Sequence, residues 1–183
     1  MSTKTKWTID PSHSEIAFKV KHLMIVNVKG VFTEYNASIY TNDDDFTTAE
    51  FDFWMNPNSL KTNDEKRDAH LRSADFFDTE HHKEITFRSN TIEKTGEDEY
   101  ELWGDLTIKG ITKKIKLNVE FGGIQKDPWG GERAGFTITG KVNRKDWELN
   151  WNAVLESGGV LVGDNVNIAC EVELVKQQEV SAQ

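Results

Sequence analysis

A single cysteine, Cys170, stands among 183 residues, so no disulfide can form within the chain and no cysteine-rich metal site can be built. Long apolar runs are missing as well. The longest, Leu23-Met24-Ile25-Val26, falls far short of the ~20 residues that cross a bilayer as a helix, so no integral membrane segment is expected. The opening MSTKTKWTID carries positive charges with no apolar stretch behind them, unlike an export signal. The chain therefore reads as cytoplasmic, or periplasmic if a leader has been removed. Basic residues are the minority, 22 against 31 acidic, which leaves a net charge of -9. A phosphate backbone would be repelled, and nucleic acid is not an expected partner.

Helical periodicity is nearly absent too. Instead, apolar residues recur at every second position: Ile16, Phe18 and Val20; Ala49, Phe51, Phe53 and Met55; Ile115, Leu117, Val119 and Phe121. Phe136, Ile138 and Val142 share one face, and Val166, Ile168, Cys170, Val172 and Leu174 share another. A period of two marks strands, and polar opposite faces mark antiparallel sheet with one side in water. Parallel α/β folds are excluded, because no long helices separate the strands. Turn chemistry fills the connections, as in Asn42-Asp43-Asp44-Asp45, Thr95-Gly96-Glu97-Asp98 and Asp127-Pro128-Trp129-Gly130-Gly131. No repeat of solenoid length and no low-complexity linker occurs.

These features predict an all-β chain of a single domain, with around eight antiparallel strands in a barrel or sandwich. Closure into a single antiparallel eight-stranded barrel is favoured because it removes exposed edges. The barrel spans residues 1–175, and 176–183 form a flexible tail. Ten Phe and six Trp suggest aromatic packing about a core or cavity. One segment, Asn56 to Glu84, breaks the alternation. Thr62 and Glu65 have capping-box spacing, which predicts a helix from near Asn63 to about Leu71 and a further turn near Phe76. Too polar for a core helix, it is expected to cap one barrel end with Leu71, Phe76 and Phe77 pointing inward.

Trp7-Thr8-Ile9-Asp10-Pro11-Ser12-His13-Ser14, then Phe18, Val20, His22 and Gly30-x-Phe32, form one block of a longer pattern. Arg67-Asp68-x-His70-Leu71-x-Ser73-x-Asp75-Phe76-Phe77-Asp78 form its centre. Gly104-x-Leu106-x-Ile108-x-Gly110-Ile111-Thr112, Asn143-Arg144-x-Asp146 and Val162-Gly163-Asp164 complete it. In order and spacing this resembles the YceI-like family, lipocalin-like β-barrels that bind polyisoprenoids. Two departures stand out: the export signal many relatives carry is missing, and His81-His82-Lys83 stands where an aromatic and a proline are common.

The resemblance implies a tunnel for an isoprenoid tail, with a polyprenyl diphosphate or an isoprenoid quinone as the bound ligand and no other cofactor. Its expected lining is Phe18, Val20, Phe32, Ile39, Phe51, Phe53, Leu71, Phe76, Phe77, Phe87, Leu106, Leu117, Phe136 and Ile138. Pattern alone leaves open whether these side chains hold a guest or fill the interior. Arg67, His70 and His22 are candidates for a head group. Their structural alternatives are that Arg67 and Asp68 pair with neighbours and fasten the helix to the rim, and that His22 is a buried, hydrogen-bonded histidine.

No catalytic residue and no metal site is expected. A Gly-x-Ser-x-Gly elbow is absent, so His13 and Ser14 read as a turn after Pro11. His70, His81 and His82 lack a ligand spacing such as His-x-x-x-His. The competing readings are an enzyme on the same scaffold, hydrolytic or metal-dependent, around those three histidines, and a stress-related scaffold protein. Lys113, Lys114 and Lys116 read as strand-edge charges. Trp54 and Trp103, on outer faces, suggest a possible homodimer.

Overall fold

A computed structural model describes residues 4–156 and 158–177. Strand β1 (Lys4–Ile9) and β2 (Glu15–His22) are halves of one long strand. The 3-10 turn Pro11–His13 breaks it, held by the Asp10 carboxylate, which accepts the Ser12 N–H. Next come β3 (Val26–Phe32) and β4 (Tyr35–Asn42), again one path with a bend. They are followed by β5 (Asp45–Met55), the short β6 (Leu60–Lys61) and helix α1 (Glu65–Arg72). The chain ends in four long strands, β7 (Ile85–Lys94), β8 (Glu99–Ile108), β9 (Ile111–Lys126) and β10 (Glu132–Asn143), and a fifth, β11 (Val162–Lys176).

All ladders are antiparallel. Pairing runs β1-β4-β5-β7-β8-β9-β10-β11, and β11 returns to β1, which closes an eight-stranded barrel. Beyond the break, β2 continues along β11 and pairs with β3, and β3 pairs with β6, so the wall extends past the ring. The expected alternation is plain in β9, where Ile115, Leu117 and Val119 are buried and Lys114, Lys116, Asn118 and Glu120 are exposed. Gly104 in β8 lets the Phe87 ring lie across the wall, since a Cβ there would stand 2.4 Å from Phe87 Cζ.

The two ends differ. At one, Trp7, Phe46, Phe121 and Phe136 meet, with Phe46 centroids 5.1, 5.5 and 4.9 Å from the other three rings. The Trp7 indole N–H donates to buried Thr41 Oγ1 at 3.1 Å, so its polar atom is satisfied inside this plug. Phe136, expected in the tunnel lining, is part of the plug instead. A register shift between Gly135 and Phe136 sets its ring beside Phe121, with centroids 5.1 Å apart.

At the other end lies α1. Its cap is not Thr62 but Asp64, whose carboxylate accepts the N–H groups of Lys66 and Arg67 at 3.1 Å each. Asn63 is left-handed, with φ 65°, and turns Thr62 away from the helix start. Thr62 instead gives its N–H, at 2.9 Å, and its hydroxyl to the buried Asp68 carboxylate. Arg67 Nε donates to Thr62 Oγ1 at 2.8 Å and a further N–H to the Thr62 carbonyl. Arg72 reaches the carbonyls of Asn58 and Leu60 at 3.1 and 2.7 Å. The helix is fastened to β6 by its charged residues.

The β2–β3 connection is costly. The connection is Leu23-Met24-Ile25, and the Ile25 N–H donates to the His22 carbonyl at 3.2 Å, so Leu23 and Met24 are the central pair of a β-turn. Both have positive φ, 55° and 63°, which ordinarily selects Asn-Gly. Left-handed backbone costs a residue with a Cβ about 1–2 kcal/mol. At the C-terminus, Lys176 still pairs with Trp7, and the Gln177 N–H donates to the Lys6 carbonyl at 2.9 Å. The remaining residues assigned to a flexible tail, 178–183, lie outside the described residues.

Candidate functional site: an apolar tunnel

The barrel interior is not filled. A cavity of about 480 Å³ runs inside it, within the ~300–1,000 Å³ typical of sites for small organic ligands. Its lining on β11 extends from Val162 to Leu174. At ~3.3 Å per residue that is roughly 40 Å of strand, or roughly 30 Å of depth at a barrel tilt near 40°. The space has the proportions of a lipid tail.

Of the lining expected from sequence, Phe18, Val20, Phe32, Ile39, Phe51, Phe53, Leu71, Phe76, Phe77, Phe87, Leu106, Leu117 and Ile138 all border the cavity. Only Phe136, in the plug, does not. Period-two alternation puts the strand residues among them on the inner face, which ring closure turns into a wall, while Leu71, Phe76 and Phe77 reach it from α1 and the turn that follows. The core and the cavity wall are therefore largely the same residues.

Polarity is confined to the helix end. Thr62, Lys66, Arg67 and His70 border the cavity there, with Lys21, His22 and Arg144, and no carboxylate lines it among the described residues. In a chain of net charge -9 this is a local reversal of sign. Arg67 is committed to Thr62, as the fastening alternative required. His70 is held by Asp75, 2.9 Å from its Nε2, and sits edge-on to Trp151 and Phe76 at 4.5 and 5.1 Å between centroids. His22 is half-buried on the Phe18 and Val20 face.

The Asn143-Arg144-x-Asp146 motif marks Arg144 near a barrel end without showing what it does. The side chain is 3% exposed and lines the cavity. Its guanidinium donates to the carbonyls of Gly163, Trp151 and Val162 at 2.8, 3.0 and 3.3 Å, and also to Leu149. The nearest carboxylate oxygen, on Asp164, is 4.0 Å away. Burial pulls the guanidinium below its ordinary value. Arg144 thus gathers 149–151 and 162–163 about the end of β10. Trp147 beside it donates its indole N–H to the Leu106 carbonyl at 3.0 Å. Trp147, Leu149 and Trp151 join the wall through this arrangement.

The histidines proposed for an enzyme do not converge. His81 Nδ1 is 2.9 Å from Asp78, His82 is 4.0 Å from the same carboxylate, and His70 belongs to Asp75. Among the described residues, the group spaced for a metal is Asp10, His13 and Glu173. Arg133 already occupies it, with Nη1 2.7 Å from both carboxylates. Ser14 Oγ accepts the Glu173 N–H at 3.0 Å, so the turn after Pro11 is a structural junction.

Cys170 supplies a reporter inside the tunnel. Burial pushes its thiol up to about 11, so the thiolate fraction grows with pH throughout the working range. Alkylation by a small uncharged thiol reagent, followed by mass spectrometry, is expected to quicken about tenfold per pH unit between about 7 and 10. A ligand filling the tunnel would block it. A rate that levels off near pH 9, as for a free cysteine, would show that the thiol does not face a dry wall.

Among the described residues, no helix is long and apolar enough to cross a membrane. The model of the YceI-like domain matches residues 7–174. A UPF0312 protein of Staphylococcus epidermidis is 40% identical over 170 residues, covering 92% of this chain and 96% of that protein. The solved YceI protein of Campylobacter jejuni is 32% identical with a TM-score of 0.75, over 86% of this chain and 90% of that one. A polyisoprenoid-binding domain from Saccharophagus degradans shares the fold, with a TM-score of 0.67 at 14% identity over 93% of this chain and 98% of that one.

Proposed function

Since this chain belongs to the YceI-like family, we propose that it is a binding protein that sequesters or carries a polyisoprenoid lipid, with the prenyl tail in the tunnel and an anionic head at the helix end. The observation that carries this reading is the distribution of polarity: an apolar wall ending in a collar of basic groups. The Saccharophagus domain of the same fold, described as polyisoprenoid-binding, supports the choice of tail.

The energetics agree. Each buried CH₂ contributes about 0.8 kcal/mol, so one five-carbon unit supplies roughly 3–4 kcal/mol before the ordering of the chain is subtracted. A few units give useful affinity without a hydrogen bond. A diphosphate adds attraction to Lys21 and Lys66, which make no ion pair among the described residues. Branched methyl groups suit a wall of Phe, Ile and Val.

The test compares geranylgeranyl diphosphate with geranylgeraniol in the Lys21→Glu/Lys66→Glu variant. Reversing two charges near the head is expected to weaken the diphosphate about 10–100-fold and leave the alcohol within about twofold. Equal losses for both ligands, or none for the diphosphate, would overturn the placement of the head. Failure of the unmodified protein to bind either would overturn the reading itself.

A further inference from the structure

The hairpin between β2 and β3 is built against the preferences of its backbone. Leu23 and Met24 hold left-handed conformations that suit Asn and Gly. Little is gained in packing: Leu23, Met24, Ile25 and Val26 are exposed large hydrophobics, Met24 at 51% and Ile25 at 74%. Strain of this kind, unrepaid by burial, points to a use for the tip. A folded chain gains nothing from presenting four apolar residues in a row to water.

The tip stands at the tunnel mouth. His22, Val28, Leu161 and Val162 line the cavity, and the Leu23 N–H donates to the Leu161 carbonyl at 2.9 Å. Leu161 in turn donates to the Ala153 carbonyl at 2.9 Å, which brings up Val154, 83% exposed. A Cβ on Gly159 would lie 3.6 Å from Met24 Cγ, so the two segments touch. Tunnel wall and exposed apolar tip are continuous. Beside them lie the basic residues of the collar, Lys21, His22 and Lys66, in a chain whose overall charge is negative.

We infer that this end of the barrel docks on a lipid bilayer, with Leu23–Val26 seated among the acyl chains and the collar lysines at anionic head groups. Apolar residues flanked by lysines are what an interfacial anchor requires. The net charge of -9 disfavours approach of the chain as a whole to an anionic surface, so the basic collar beside the tip favours this orientation. Docked this way, the mouth opens toward the hydrocarbon, and a prenyl tail passes between membrane and tunnel without crossing water. This inference rests on the lipid-binding reading above.

The test uses the substitution pair Leu23→Asn/Met24→Gly. It installs the residues the turn prefers while removing half of the apolar tip, so the melting temperature is expected to rise. Flotation with vesicles of equal parts phosphatidylcholine and phosphatidylglycerol should recover the unmodified protein. The variant should bind those vesicles at least about tenfold more weakly. Transfer of a fluorescent prenyl lipid from the vesicles should slow in parallel. Solution binding of geranylgeranyl diphosphate should stay unchanged, which separates failure of docking from failure of the lipid reading. Ile25→Asp, which leaves the turn backbone alone, should reproduce the loss. Vesicle binding unaltered in both variants would overturn the inference. So would a tip that instead joins two copies of the chain, seen as a dimer that the variants convert to monomer with no vesicle binding.

Discussion

Phe51→Asp is expected to leave a folded barrel that no longer takes up lipid. Phe51 lies on β5 and borders the cavity. Its backbone N–H donates to Ser89 Oγ at 2.9 Å, a bond that a new side chain does not touch. In the empty protein the carboxylate can keep water about it within the tunnel. A prenyl tail would strip that water, and an unpaired charge in an apolar site costs several kcal/mol. The loss of affinity is therefore expected to be about 100-fold or more. Titration with geranylgeranyl diphosphate reads it, and far-ultraviolet circular dichroism checks that the strands remain. A folded variant that binds as before would remove Phe51 from the ligand's path.

The largest effect on stability is expected from Arg144→Met. Methionine keeps much of the apolar stem but none of the five donors. The carbonyls of Leu149, Trp151, Val162 and Gly163 would then lose their shared partner at the helix end of the barrel. Each buried acceptor left unpaired costs about 1–3 kcal/mol, and water will recover some of them. A net destabilisation of about 3–5 kcal/mol is expected in urea unfolding. Arg144→Lys should rescue only part, since an ammonium cannot fork between separate carbonyls. A loss below about 1 kcal/mol for methionine would contradict the role assigned to this arginine.

How much of this was legible beforehand follows from what a period of two can say. Alternation tells which face a side chain occupies, so Phe18, Phe53, Phe87 and Leu117 could be placed on the inner wall. It does not tell the height along the barrel axis. Phe121 and Phe136 share the inward face, yet their height is set by the register of β9 against β10, including its shift at Gly135. That register makes them a plug and not a tunnel wall. The helix cap failed for a related reason: Thr62 and Glu65 have the right spacing, but one left-handed residue, Asn63, hands the cap to Asp64.

Arg144 could be placed near a barrel end, but its contacts were beyond reach for a different reason. Its partners are backbone carbonyls, which any residue supplies and no spacing reveals. The Leu23–Val26 run was visible as apolar and as too short to span a bilayer. Its place at the tunnel mouth needed the closed sheet, which sets the hairpin against Leu161. The wall was legible residue by residue, and the ends became so only in three dimensions.

The tunnel is built to take a guest. The most direct measurement is mass spectrometry of organic extracts from the chain purified without detergent, scored as moles of lipid per mole of protein. An isoprenoid lipid approaching one per barrel is the expected result. Recovery of no lipid, from a protein that also fails to bind added geranylgeranyl diphosphate, would contradict it.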